Sequence, residues 1–238
     1  MATIFATQAF IMAKRDFGEA DRFYLLATRD FGVSEFFAKG VRKNSAKLKS
    51  GLELFNLSEI EFVSGKQNKT LTDVRILDSF PEIKKNQEKL KITFEISEIF
   101  ANLIKGETSE SVFWSFLEEF FNLLKKTKAK DSNLRLFKYY FVWNLLKLLG
   151  YGAEIQRCLV CQRQNLKPPF YFAIQEGGIL CQNCSLELRN SVKISENLLK
   201  ILRLILKKEW SILVRLKYPV TELLSLDFLT QQFLKSIL

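Results

Sequence analysis

Arg22-Phe23-Tyr24-Leu25-Leu26-Ala27-Thr28, a break at Arg29-Asp30-Phe31, and Gly32-Val33-Ser34-Glu35-Phe36-Phe37-Ala38 decide the first part of the fold. Two runs rich in aromatic and aliphatic residues flank a gap of hairpin length, which is the pattern of paired antiparallel strands. Working outward, Thr7 to Met12 supplies a strand before this hairpin. Leu57 to Val63 alternates, with Ser58, Ile60 and Phe62 on one face and Glu59 and Glu61 on the other. Leu71 to Leu77 repeats the pattern, with Thr72, Val74 and Ile76 opposite Asp73 and Arg75. Five short strands in so few residues predict a small closed barrel. The OB-fold is the commonest nucleic-acid-binding version, although periodicity alone does not separate it from an SH3-like barrel.

At Pro81 the period changes. Ile92, Ile96, Ile99 and Leu103 recur at helical spacing, as do Phe113, Phe116, Leu117, Phe120, Phe121 and Leu124. Phe137, Phe141, Leu145 and Leu148 follow, with Gly150 as a stop; Leu198, Leu202 and Ile205 open another helix, and Pro219 precedes a last one. Aromatic stripes at this spacing are read as core. The predicted class is therefore α+β: a small barrel domain over residues 1–80, read as an OB-fold nucleic-acid-binding domain with an SH3-like barrel as the alternative, then an α-helical domain over 81–238. The most apolar stretch, Leu134 to Leu149, is interrupted by Arg135, Lys138 and Lys147 at amphipathic spacing, which argues against a membrane span. Met1-Ala2-Thr3-Ile4-Phe5 does not begin a secretory signal, so a soluble cytoplasmic protein is expected.

The four cysteines form two C-x-x-C pairs, Cys158 with Cys161 and Cys181 with Cys184, nineteen residues apart. Two intervening residues let both thiolates of a pair face one ion, and a second pair completes a tetrahedral set. The reading is a zinc ribbon inserted at about 155–190, holding one structural Zn2+. Four sulfurs leave no open coordination position, so this site holds shape and does no chemistry. Gly177-Gly178 suit a tight turn that brings backbone close to the metal.

The chain carries 36 Lys and Arg against 26 Asp and Glu, a net charge of +10, and no histidine. Residues 1–80 hold twelve basic against ten acidic side chains, and residues 81–238 hold twenty-four against sixteen. A polyanionic partner, most simply nucleic acid, suits this balance. Absence of histidine removes Ser-His-Asp and Cys-His catalysis and His-ligated catalytic zinc. None of the ten glycines builds G-x-G-x-x-G or G-x-x-x-x-G-K, so nucleotide hydrolysis is not expected, and no enzyme constellation stands out.

Between the third and fourth predicted strands, Lys39-Gly40-Val41-Arg42-Lys43-Asn44-Ser45-Ala46-Lys47-Leu48-Lys49 carries five positive charges and no negative one. It is expected to be a mobile loop whose Lys39, Arg42, Lys43, Lys47 and Lys49 contact the nucleic-acid backbone, with Lys14 and Arg22 as weaker contacts. Five phosphate contacts imply a log–log salt slope of about −3.5 on single strands.

These segments resemble the RecO family of bacterial DNA-repair and recombination-mediator proteins. The resemblance rests on Gly18-Glu19-Ala20-Asp21, Lys39-Gly40-Val41-Arg42-Lys43 with Ser45 and Lys47, Leu52-Glu53-Leu54-Phe55, Leu148-Leu149-Gly150-Tyr151, the first cysteine pair, and Gly177-Gly178-Ile179-Leu180-Cys181-Gln182-Asn183-Cys184. It implies an OB-fold followed by a helical domain with an inserted zinc ribbon. It also implies binding of single- and double-stranded DNA, annealing of complementary strands, and loading of RecA, with RecR, onto DNA coated by single-strand-binding protein. No nucleotide cofactor is implied, and the expected location is the nucleoid. Lys49-Ser50-Gly51 departs from the larger, more basic residues the family resemblance suggests. The acidic, apolar-ended tail of single-strand-binding protein would need an apolar pocket with a basic rim, for which the helix from Leu198 to Trp210, with Lys200, Arg203, Lys207 and Lys208, has suitable chemistry. Competing readings are an RNA-binding OB/zinc-ribbon module, a metal-dependent nuclease, and a structural adaptor.

Overall fold

The computed structural model describes residues 3–104, 106, 112–128, 134–188 and 190–238. The chain forms two compact units, Met1–Ala129 and Lys130–Leu238. In the first, β1 (Ile4–Phe17), β2 (Asp21–Thr28), β3 (Gly32–Ala38), β4 (Leu57–Ser64) and β5 (Lys69–Asp78) close into a barrel in the order β1-β2-β3-β5-β4. All pairings are antiparallel except β3 with β5. The expected five-stranded OB-fold barrel is thus present. β1 is far longer than the predicted strand, because its first half pairs with β4 and its second with β2.

The core takes one residue in two from each strand: Ala9, Ile11, Tyr24, Leu26, Phe36, Ile60, Phe62 and Leu71 are buried together. On β4 the expected alternation holds, with Ser58, Ile60 and Phe62 buried. On β5 it does not. The register jumps from Glu61↔Asp73 to Phe62↔Leu71, leaving Thr72 as an extra residue. The bulge sets Leu71 and Val74 inward together and turns Thr72 out to solvent, so Thr72 leaves the expected Thr72–Val74–Ile76 face; Ile76, opposite the buried Ser58 and on the same face as Val74, is exposed towards the end of the strand.

The outer face of β1 is partly covered. Phe10 is fully buried against Trp114 at 4.9 Å and Phe121 at 5.1 Å between ring centroids. Both partners belong to α3 (Val112–Lys126), which with α1 (Pro81–Lys84) and α2 (Gln87–Leu103) packs in this unit. Asn86 caps α2 by accepting from the Lys89 N–H.

In the second unit, α4 (Leu136–Leu148) buries ten of its thirteen residues. A helix apolar on every side is a central one, so the amphipathic expectation for this stretch is corrected. Around it lie α6 (Glu196–Leu206), a short α7 (Trp210–Leu213) and α8 (Val220–Ile237), with a small sheet and the short α5 (Gln182–Ser185) between α4 and α6 in the chain. That sheet has the order β7-β6-β8 for β6 (Phe170–Ala173), β7 (Gly178–Leu180) and β8 (Ser191–Ile194). Asn144 donates from α4 to the Ile205 carbonyl at 3.0 Å, and Trp143 donates to Thr230 at 2.9 Å, tying α4 to α6 and α8. Gly150, with φ 87°, ends the α4 segment as expected: the Tyr151 N–H bonds back to the Leu146 carbonyl. Among the described residues, no helix is long and apolar enough to cross a membrane.

Candidate nucleic-acid interface and metal centre

The basic segment after β3 is not the mobile loop expected from its composition. Val41 and Leu52 are buried in the barrel core, with Leu48 packed against it, so the segment plugs one end of the barrel. Its entry is pinned to the β1–β2 turn. The Asp21 carboxylate accepts from the Gly40 N–H at 2.6 Å, the Arg42 N–H bonds to the Ala20 carbonyl, and the Arg42 guanidinium donates to the Gly18 carbonyl at 3.0 Å. Its exit is held by Asn56, which donates to the Ser50 carbonyl, and by Ser58, which donates to that of Gly51. A Cβ on Gly51 would lie 2.3 Å from Val74 Cγ1, so no larger residue fits there. The small residue at Gly51 is a packing requirement.

Lys39, Arg42, Lys43, Lys47 and Lys49 are all exposed on this plug. They differ in commitment. Arg42 lies 3.5 Å from the Asp16 carboxylate, whereas none of the four lysines pairs with a carboxylate among the described residues. Arg22 is held by Asp16 at 2.6 Å, and Lys14 is exposed nearby. That Arg22 hydrogen bond holds the Asp16 carboxyl below its ordinary value; Arg15 does the same to Glu35. The free cations of this face are therefore the lysines.

In the second unit the two C-x-x-C pairs converge. All four Sγ atoms lie within 4.8 Å of one another, with Cys181 3.9 Å from both Cys158 and Cys161. A disulfide needs about 2.05 Å. A tetrahedral ion with metal–sulfur bonds of about 2.3 Å separates its ligands by about 3.8 Å, so the thiols fit an ion and not a pair of bridges. The first pair sits on a tight knuckle closed by the Gln162 N–H to the Cys158 carbonyl, with Gln162 at φ 57°. The second opens α5, where Ser185 N–H bonds to the Cys181 carbonyl. Burial pushes the Cys158 thiol up, but backbone N–H groups of Cys181, Cys161 and Val160 outweigh it and the thiol falls to about 6. Hydrogen bonding with Cys181, then burial, pushes Cys184 up to about 12. Four thiolates so close coexist only around a cation.

The double glycine serves a different end from the one expected. Gly177 turns the chain at φ 68°, but the close approach at Gly178 is to the Leu159 side chain and the Glu154 carbonyl, not to the metal position. Glu154 bonds to Gly177 and Ile179, and the Leu159 N–H to the Ile179 carbonyl, so β7 carries the first knuckle.

The α6 residues considered for a protein tail are mostly engaged. Lys200 pairs with Glu196 at 2.7 Å, and Arg203 is half-buried and donates to the Ile155 carbonyl at 3.1 Å. Lys207 is exposed at the helix end. The helix does not continue to Trp210: Lys208 adopts φ 60° and breaks it. Missed in the sequence was a groove of about 280 Å3 at the other end of α6, lined by Ile194, Leu198, Leu224, Phe228 and Leu229, with exposed Lys193 at its edge. The signal was available as Leu224 and Phe228, an apolar i,i+4 pair left exposed on α8.

Comparison with known proteins agrees with this architecture. Residues 1–80 match the family model described as recombination protein O N terminal, and residues 88–238 that described as recombination protein O C terminal. A protein of Dehalococcoides mccartyi named DNA repair protein RecO is 31% identical over 213 residues, covering 90% of this chain and 82% of its own. Proteins of the same name from Clostridium novyi and Acetivibrio thermocellus are 27% and 25% identical, covering 86% and 96% of this chain and 78% and 90% of theirs. With both halves of the fold matched, the chain belongs to the RecO family.

Proposed function

We propose that this protein is a non-enzymatic, DNA-binding recombination mediator of DNA repair, which anneals complementary single strands and, with RecR, helps load RecA onto DNA coated by single-strand-binding protein. Membership of the RecO family supports the repair role. The observation that carries the DNA-binding part is the anchored plug, which presents Lys39, Lys43, Lys47 and Lys49 on an OB barrel without acidic partners among the described residues. Complementary strands repel; lysines on a fixed surface screen that repulsion and leave the bases free to pair. Phosphate contacts position the strand and do not specify sequence, so binding is sequence-tolerant.

One structural Zn2+ on Cys158, Cys161, Cys181 and Cys184 would hold the ribbon and take no part in binding. The acidic tail of single-strand-binding protein is better matched by the groove beside Lys193 than by Lys200 and Arg203, whose polar groups are already engaged.

The test is a Lys43→Ala/Lys47→Ala/Lys49→Ala variant on single-stranded DNA. Losing three phosphate contacts lowers the log–log salt slope by about 2. An unchanged slope removes this segment from the interface.

A further inference from the structure

We propose that Phe17, with Phe37 beside it, is a stacking step for unpaired bases of single-stranded DNA. The proposal rests on the DNA-binding reading and adds how the strand type is chosen. Across the barrel wall, Arg15, Phe23 and Phe37 are register partners on β1, β2 and β3, while Tyr24 and Phe36 point into the core. This outer row is therefore not barrel filling. Phe17 lies two residues further along β1, paired with Asp21, and is 52% exposed. Its ring meets Phe23 at 5.2 Å and 83° and Phe37 at 6.0 Å and 85°, so neither ring is stacked on it. Phe23 is already occupied: the Arg15 guanidinium lies 4.1 Å from its centroid and is fixed by two 2.8 Å hydrogen bonds to Glu35.

A single exposed phenylalanine is ordinary on a protein surface. Two observations separate this one. First, Phe10, on the same strand, is covered by α3, whereas Phe17 remains half open on a rigid aromatic base. Second, the turn that carries Phe17 also holds the basic segment. Asp21, its register partner, fixes Gly40, and Arg42 donates to the Gly18 carbonyl. An aromatic ring and phosphate-binding lysines attached to one hairpin are the two components of a single-strand site. Duplex bases stack on each other and offer no free face, so this step discriminates against duplex.

The experiment measures binding of labelled oligo-dT, the same oligomer with abasic positions, and a duplex, to wild type and to Phe17→Ala, Phe17→Leu and Phe17→Trp. Removing one stacked base weakens oligo-dT binding by about 5- to 150-fold. Phe17→Ala and Phe17→Leu are expected to show that loss with an unchanged salt slope and unchanged duplex affinity, and Phe17→Trp to restore binding. Phe17→Leu keeps apolar bulk, so a loss there is not a packing defect. Abasic oligomer should bind wild type and Phe17→Leu alike. Wild-type affinity in Phe17→Leu, or equal losses on duplex and single strand, overturns the stacking step while leaving the lysine interface standing. Failure of wild type to bind any of the three nucleic acids overturns both.

Discussion

Gly178→Ala tests how the ribbon is held together. The added methyl would lie 2.7 Å from Leu159 Cγ and 2.8 Å from the Glu154 carbonyl oxygen. The leucine can rotate away. The carbonyl cannot, because it accepts from the Ile179 N–H while the Glu154 N–H donates to Gly177, both at 2.9 Å. Making room means parting the residues around Glu154 from β7. Overpacking of this kind costs about 1–3 kcal/mol, and each weakened hydrogen bond up to about 1 kcal/mol, for a total of roughly 2–4 kcal/mol. In a unit of this size that lowers the melting temperature by about 8–20 °C. Leu159 hangs from the same strand, through its N–H to the Ile179 carbonyl, and it lies between Cys158 and Cys161. The knuckle should therefore loosen as well, and a metal ion bound there should leave faster. The assay pairs thermal unfolding of the metal-loaded protein with chelator-driven metal release. Gly150→Ala is the control: its φ of 87° makes alanine cost about 1–2 kcal/mol, but nothing lies within 4 Å and no cysteine depends on it. Metal release from Gly178→Ala at the rate of Gly150→Ala would refute the reasoning.

Asp21→Ala removes the acceptor for the Gly40 N–H and should raise hydrogen exchange at residues 40–43 while destabilising the barrel by about 1–2 kcal/mol, read from denaturant unfolding. Asp16 and Glu35 are held below their ordinary values by hydrogen bonds from Arg22 and Arg15, so their stabilisation is complete above the unfolded values near pH 4 and is lost as pH falls through the lower folded ones. A melting-temperature profile from neutral pH to about pH 2 should accordingly decline less steeply at its acid end in Asp16→Asn than in wild type. Cys161→Ser removes one exposed thiol of the four-cysteine cluster and should abolish retention of a bound metal ion on gel filtration with chelator, while the ellipticity of the helices persists, because Trp143, Thr230 and Asn144 join α4 to α8 and α6 without the cysteines.

What could be read from the chain was what short sequence distances determine. The hairpin from Arg22 to Ala38 pairs residues four to sixteen apart and each cysteine pair spans three, and both stand where expected. A bulge is harder. Thr72 puts Leu71 on the same face as Val74, three positions on, yet the sequence around it reads as unbroken alternation. The plug was hidden for a related reason: Val41, Leu48 and Leu52 are three apolar residues in a polar stretch, and their partners come from several strands. Buried all round, α4 has no polar face for a helical period to reveal.

The same limit governs the electrostatics, and there it bears on function. A sequence counts charges, but a binding surface is made of cations that the fold has not already used. Arg22 and Arg42 share Asp16, Arg15 is clamped by Glu35, Lys200 by Glu196, and Arg203 by a backbone carbonyl. The pairs of Arg22 and Arg42 with Asp16, and of Arg15 with Glu35, lie within the barrel unit, so its small net charge conceals a sorted surface. Arg15, Arg22 and Arg42 are spent on fixing the β1–β2–β3 wall and the entry of the plug, while Lys39, Lys43, Lys47 and Lys49 stay exposed without a carboxylate partner among the described residues. Replacing Arg42 should therefore act differently from replacing Lys43. Arg42→Ala should loosen residues 40–43 and destabilise the barrel before it affects the salt slope, whereas Lys43→Ala should lower the slope by about 0.7 with the melting temperature unchanged. Equal effects from the two variants on slope and stability would show that the fold does not divide its cations in this way.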